Sequence, residues 1–478
     1  MKFISSALLC VLVLLVCTSG NQSKESYNNS KVIIAVNTPH GVGYFVDNTG
    51  TILFNKQFQR VNKFSEGLAE VEQNDKWGYI NPKGEVVIPC IYDKAEPFSK
   101  GLARVTQNGK YGYINTKGEL IVPCIYDDAS FFYEDLAKVQ QNGKWGFVNT
   151  KGELVIPCIY DDAGIFFDGL APVEQNDKWG FINPKGEVVV PCIYDWVEDF
   201  SEGFTCVKQN GKWGFINPKG KVIAPFIYDN AEEFSKGLAK VMQNEKYGFI
   251  STQGEVVIPC IYDDALNFSE GLAPVKQNGK WGYINTQGEV IAPCIYDYGE
   301  SFSEGLAYVT QNGKYGYINT KGELIVPCIY DKAEPFSKGL ARVTQNGKMG
   351  YINTKGELVI PCIYDHASFF SEGLAIVKQN RKYGYVNTKG EIVIPCIYDN
   401  AWEFSEGLAR VKQNYLWGFV NTKGELVIPC IYRSVWSFSE GLAYVAQNGK
   451  LSIINTQGKV IVAECNRLKT HWSKVEME

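Results

Sequence analysis

The 478-residue chain is poor in the side chains that most catalytic sites require. It has three histidines, His40, His366 and His471, each in an unrelated setting. No nucleophile elbow, phosphate-binding loop or metalloprotease motif accompanies them. The fourteen cysteines include no Cys-x-x-Cys pair and no Cys/His cluster with zinc spacing. No cofactor or metal is therefore expected. Basic and acidic residues nearly balance, 47 against 52, and are interspersed. Without a basic stripe there is no footprint for a phosphate backbone, and nucleic acid is not an expected partner. After residue 20 no apolar run approaches membrane length, so no later segment is expected to span a bilayer. A convincing helical period is missing as well.

What the chain has instead is repetition. "NGKWGYINTQGEVIAPCIYD", residues 278–297, returns in near copies along most of its length. Aligning on the residue before the repeated glycine gives Trp77, Tyr111, Trp145, Trp179, Trp213, Tyr247, Trp281, Tyr315, Met349, Tyr383, Trp417 and Leu451, always 34 residues apart. No insertion or deletion interrupts the series, and "GYFVDNTGTILF" is a fainter copy before it. "EPFSKGLARVTQNGK" occurs at 96–110 and again at 334–348, seven periods later, which reads as duplication of a block of units. Such self-similarity marks an array whose units contact mainly their neighbours.

Within a unit, "LARVTQ" and "KYGYIN" flank Asn108-Gly109, a pair suited to a type I′ hairpin turn because both residues tolerate positive φ. Asn115-Thr116-Lys117-Gly118 suits a type I turn closed by a left-handed glycine, and Pro82, Pro184 and Pro218 preset φ in its counterparts. "GEVVIPCIYD" is apolar at consecutive positions, which predicts a strand covered on both faces by neighbouring sheets. Pro89 cannot donate to a ladder and predicts an edge or a bend. The expected fold is all-β: tandem 34-residue repeats with three short antiparallel strands each, stacked as an open superhelical β-array. One or two β-propellers are the alternative, although thirteen units exceed the usual four to eight or so blades of one ring.

Units such as "KWGYINPKGEVVIPCIYDKAEPFSKGLARV" resemble the WG-containing (KWG) repeat family, known chiefly from bacterial proteins, over roughly residues 43–464. The resemblance implies a β-rich tandem array and carries no established activity or substrate. The aromatic of the motif is lost at Met349 and Leu451.

Residues 1–20, "MKFISSALLCVLVLLVCTSG", read as a secretory signal, followed by a polar tether at 21–30. "LLVC" ending at Cys17 resembles a lipoprotein processing site, although Val16 departs from it; simple cleavage around Ser19 or Gly20 is the alternative. The Asn21 and Asn28 sequons would be glycan acceptors in a eukaryote. Residues 31–60 read as a degenerate N-terminal capping repeat, 61–464 as twelve tandem repeats and 465–478 as a C-terminal tail.

Ten cysteines, Cys90 to Cys430, recur at one position per unit, and Phe226 replaces the cysteine in one unit. Sheets stacked about 10 Å apart hold such residues too far from one another for a disulfide, so a buried apolar role is expected. Cys206 and Cys465 stand outside that row. The recurring Asp93, Asp127 and Asp161 supply one carboxylate per unit, too few for calcium, and are expected to bond into turns. Trp77 and Tyr79 and their counterparts are expected between sheets rather than on sugar rings. Repeats differ most after the Tyr-Asp pair, where Phe131, Ile165, Trp196, Tyr298, Phe369, Trp402 and Trp436 are the candidate binding residues. The function expected is a secreted or surface-attached, non-enzymatic array presenting an extended surface for multivalent protein or glycan binding. A passive spacer or self-assembling coat component, and less so a propeller-type enzyme, are the alternatives.

Overall fold

The structure, a computed structural model, describes residues 33–37, 42–47, 51–54, 56–439 and 441–463. The leader at 1–20, the tether, Cys17, Cys465 and the tail lie outside the described residues.

Both turns form as their residues dictate. Asn108 and Gly109 have φ of 53° and 74°, the type I′ signature, and join Leu102–Gln107 to Lys110–Asn115. At the second turn the Gly118 amide donates to the Asn115 carbonyl at 2.9 Å, with Gly118 at φ 81°. The Asn115 side chain accepts from the Lys117 and Glu119 amides at 3.0 Å each, which fixes the turn before Leu120–Tyr126 begins. These are the three strands expected. A two-residue strand, Lys94–Ala95, precedes them, so each sheet has four antiparallel strands in sequence order. The connection from it is a tight turn with Lys100 at φ 52° and Gly101 at 79°, closed by the Ser99 amide on the Leu102 carbonyl at 2.9 Å. Lysine or glutamate at positive φ is uncommon, and for that reason the sequence reads there as a plain loop.

Twelve such four-stranded sheets follow one another, preceded by the pair Ile33–Asn37 and Gly43–Asp47. Every sheet is open, with two edges, rather than closed as a barrel, and no helix occurs among the described residues. Counted from aromatic to aromatic, one repeat supplies the third and fourth strands of one sheet and the first and second of the next. Successive sheets are therefore joined covalently at every step.

Sheets stack through two apolar faces. Leu68, Tyr79, Ile88 and Tyr92 of one sheet meet Phe98, Ala103, Val105 and Ile114 of the next. Tyr79 and Phe98 lie 4.8 Å apart, and the Tyr79 hydroxyl donates to the Glu96 carbonyl at 2.7 Å. The ring pair recurs as Phe147–Phe166 at 4.9 Å, Tyr283–Phe302 at 5.2 Å and Phe419–Phe438 at 4.8 Å. Each pair contributes about 0.5–1.5 kcal/mol beyond its buried area.

The fourth strand departs from expectation. Its run of apolar residues predicts cover on both faces, yet only Ile88 and Tyr92 are buried, and Ile91 is 47% exposed. The strand lies at the sheet edge and bulges at its proline, so alternate side chains turn outward. The same bulge explains the glycine after each aromatic. A Cβ on Gly282 would stand 2.6 Å from the Ala292 carbonyl oxygen and 2.7 Å from the Cys294 amide nitrogen. The two end units lack this glycine, with Tyr44 and Ser452 in its place. Tyr44 packs on Ile453 of the last sheet, beside Val42, Leu442 and Ile461, so the first and last units cover each other's apolar surface.

Gly282→Ala is expected to lower stability by about 1–3 kcal/mol through overpacking against the fourth strand, measured by urea unfolding. An unchanged midpoint would show that the bulged strand can yield.

Candidate functional site

Regular polar clips leave little free chemistry in the repeated positions. Lys76 pairs with Asp93, and the other Asp93 oxygen accepts from the Gly109 amide in the next hairpin turn at 3.1 Å. Lys314–Asp331, at 2.5 Å, repeats the arrangement, with Asp331 accepting from the Gly347 amide at 3.2 Å. The lysine hydrogen bond and then the turn amide hold these aspartates below the usual carboxylate range. Each carboxylate is thus committed to its own lysine and turn rather than converging with others on an ion. On the opposite side of the sheets, Glu66 accepts from the Lys100 and Gly101 amides at 2.7 and 2.8 Å, and Glu304 does the same at Lys338 and Gly339.

The cysteine row is half-buried rather than fully buried, because it lies on the edge strand. Cys90 to Cys430 and the buried Cys206 are unbridged thiols. Cys90 Sγ lies 3.7 Å from the Val71 carbonyl oxygen, a weak internal contact, and burial raises its pKa. Tyr79 and its equivalents are fully buried between sheets, whereas Trp77 is half-buried.

The seven candidate residues all fall at the edge formed by the first strands or in the loop just after it. Phe131, Ile165, Trp196, Tyr298, Phe369 and Trp402 are exposed, and Trp436 is half-buried. Phe131, Ile165 and Trp196 belong to three successive sheets, as do Phe369, Trp402 and Trp436, while Tyr298 stands between the two groups. Several are already engaged. The Arg104 guanidinium lies 4.5 Å from the Phe131 ring, Arg342 lies 4.6 Å from Phe369, and Arg410 lies 4.4 Å from Trp402. Trp436 contacts Tyr444 at 6.3 Å, and Tyr298 contacts Trp281 at 5.7 Å. Trp196 lies 5.9 Å from Trp179, and its indole nitrogen donates to Glu198 at 2.8 Å.

Sequence reasoning missed the position that governs these contacts, the third residue of "LARV". At five junctions it carries a cation that crosses to the next sheet. Arg104 donates to the Ala129 carbonyl. Lys138 reaches Ala163 at 2.6 Å and Lys240 reaches Ala265 at 3.0 Å. Arg342 reaches Ala367 at 2.6 Å and Arg410 reaches Val435 at 3.0 Å. Pro172 and Cys206 hold the same position at two consecutive junctions and cannot make this bond. A cavity of about 300 Å³ opens beside Pro172, lined by Trp179, Trp196 and Glu198 among others. One of about 550 Å³ opens beside Cys206. A third, about 510 Å³, lies between Trp196 and Trp213, with Asp195 and Lys208. The signal was present in sequence as the loss of Arg or Lys from that column.

Twelve consecutive matches to the WG-containing repeat run from residue 45 to 450, each spanning about one period. The chain belongs to the WG-containing repeat family. No curated protein matches this WG-repeat chain in sequence. Among solved structures, it is similar to the extracellular domain of the one-component system BT4673 from B. thetaiotaomicron, at 8% identity and TM-score 0.20, over 92% of this chain and 78% of that one. It is also similar to the extracellular domain of the hybrid two-component system BT3049 from the same organism, at 8% identity and TM-score 0.22, over 91% and 71%. AztD of Citrobacter koseri matches at 11% identity and TM-score 0.26, over 68% and 92%. These scores lie below the level at which a shared fold is inferred. No helix among the described residues is long and apolar enough to cross a membrane.

At the first junction the bridging position holds Glu70, which is fully buried. Neither carboxylate oxygen makes a hydrogen bond of good geometry, and the nearby Asn62 side chain offsets only part of the cost. Burial pushes the carboxyl from 4.5 up to about 7. The folded state therefore holds a proton there that the unfolded chain releases. This contribution to stability is full below pH 4.5 and lost as pH rises through about 7. Glu70→Gln is expected to stabilise the protein at pH 8 by on the order of 3 kcal/mol and to flatten stability between pH 5 and 8, read from urea midpoints across that range.

Proposed function

We propose that the chain is an exported or surface-attached, non-enzymatic binding array that engages a protein or glycan through several weak contacts at once. The observation that carries this reading is a set of variable large apolar side chains along one edge, all exposed except the half-buried Trp436, six of them in two runs of three successive sheets. Sheets joined at constant sequence spacing hold those groups in fixed order, so a long ligand that meets one meets the next at high effective concentration. Export rests on the leader-like residues 1–20, and surface attachment on Cys17 as the point of lipid attachment. The buried Cys206 thiol fits a non-catalytic role, since burial and then Glu198 and Glu233 push it up to about 12, far from a reactive thiolate.

The opposite edge supports a second reading, lateral self-association as a coat or spacer. It carries a row of isoleucines from Ile91 to Ile431, each between 42% and 48% exposed. Proline in every such strand interrupts pairing and weighs against it.

Replacing all seven edge residues with serine is expected to abolish capture of surface partners in a chain that stays folded, with the urea midpoint lowered through the lost ring contacts. Partner recovery by the wild-type and serine chains, each also sized by sedimentation over a wide concentration range, checks this. Undiminished capture would remove the binding edge, and assembly that grows with concentration would favour the coat.

A further inference from the structure

The five bridged junctions show what their register accepts. At Arg104 the guanidinium meets four groups at once: the Ala129 carbonyl of the next sheet, the Glu96 carboxylate of its own sheet at 3.3 Å, and the faces of Phe131 and Tyr111. Arg342 repeats this with Ala367, Glu334 at 3.0 Å and Phe369. Lys240 does so as an ammonium, with Ala265, Glu232 at 2.8 Å and Tyr247.

Three periods on from Arg104 the cation is missing and its setting remains. Cys206 stands in the arginine's place, Glu198 in that of Glu96 and Ala231 in that of Ala129, and Glu233 replaces Phe131. All four line the cavity of about 550 Å³. At Tyr308 and Ile376, which also interrupt the column, the space is filled from within. Tyr308 stacks against Tyr298 and Tyr315 and donates to Glu300 at 3.0 Å, and Ile376 is itself buried. Beside Pro172 the own-sheet position is Gly164, so that cavity lacks the matching carboxylate. The Cys206 junction thus combines the vacated cation position, the acidic partner and an open volume. The Glu233 carboxyl is raised by burial and then by Glu198 and Asp199, the repulsion that a bound cation would relieve.

We propose that the cavity beside Cys206 is a binding site for a guanidinium or primary ammonium group supplied by another molecule, held between Glu198 and Glu233 as Arg104 is held within the chain. The site deepens the binding-array reading and rests on it for biological purpose. A charge-assisted hydrogen bond to carboxylate in a partly desolvated cleft supplies the specificity, and neutral groups of the same shape forfeit it. A thiol at the bottom of the site is short enough to leave the volume open.

The test is calorimetric titration of the full chain with N-acetyl-arginine amide, with the pentapeptide Gly-Gly-Arg-Gly-Gly, and with the citrulline version of each. Saturable binding of the arginyl probes is expected, weakened roughly tenfold or more with citrulline. Cys206→Arg places the chain's own cation in the cavity and is expected to abolish binding while keeping or raising the urea midpoint. Glu198→Gln is expected to weaken it by a similar factor. A pentapeptide tighter than the single residue supports a partner protein's side chain as the source, and equal affinity supports a small guanidino compound. No saturable binding, equal binding of citrulline, or undiminished binding by a folded Cys206→Arg chain would overturn the proposal. A serine variant that keeps Trp196, whose indole donates to Glu198, and replaces the other six edge residues leaves the contacts of Glu198, Cys206, Ala231 and Glu233 intact. Loss of partner capture in that variant with arginyl binding kept, or the reverse, therefore shows which of the two readings fails.

Discussion

Stability in this protein depends on the ring pair stacked across each junction, Tyr79 on Phe98 and its counterparts. A sheet whose strands are two to seven residues long has no interior of its own. Its only route to burial is to press one face on the sheet before and the other on the sheet after. The constant spacing follows from this demand, because an inserted residue would move a ring out of register with its partner and open a void that close-packed interiors do not tolerate. The glycine beside each aromatic serves the same stack by letting the bulged fourth strand lie against the third. With both ends of such a stack apolar, Tyr44 and Ile453 meet for the reason every other junction forms.

Around this core the polar groups divide into two kinds. Those repeated in every unit, such as the Lys-Asp pair on the hairpin turn, satisfy backbone amides and fix the spacing. They are half-exposed and screened, and geometry is their main contribution. Those that vary lie where two sheets face each other near the first strands. Here one column of residues either closes the junction with a cation or leaves it open. A structural position becomes a place for a ligand through substitution of a single side chain, without any change in the backbone. Repeat proteins can acquire a site in this way without an insertion, which the ring register would not accommodate.

Much of this was legible in advance. Asn108-Gly109 and Asn115 to Gly118 specify their turns through local φ preferences, and the three strands between them follow. The burial of Tyr79 was readable from its recurrence. The short first strand was not, because Lys100 and Glu66 adopt positive φ without belonging to the residue types that usually do. The exposure of Ile91 was hidden for a different reason: an apolar run at a sheet edge and one in a sheet centre are written alike. The edge residues were found as a set, but their grouping on successive sheets and the arginines covering Phe131 and Phe369 depend on which side chains face across a junction, while Arg410 covers Trp402 within one sheet.

The sequence by itself determined the period, the turns, the β class and the family, since each rests on interactions between residues close in the chain. Only the tertiary structure decided which variable residues share a cleft. Pro172 and Val197, or Cys206 and Ala231, are 25 residues apart and belong to different sheets, and the forward face of one meets the backward face of the next only when the rings are stacked. The loss of a cation from one column becomes a cavity lined by carboxylates through that packing, and packing between sheets is not written in any local pattern.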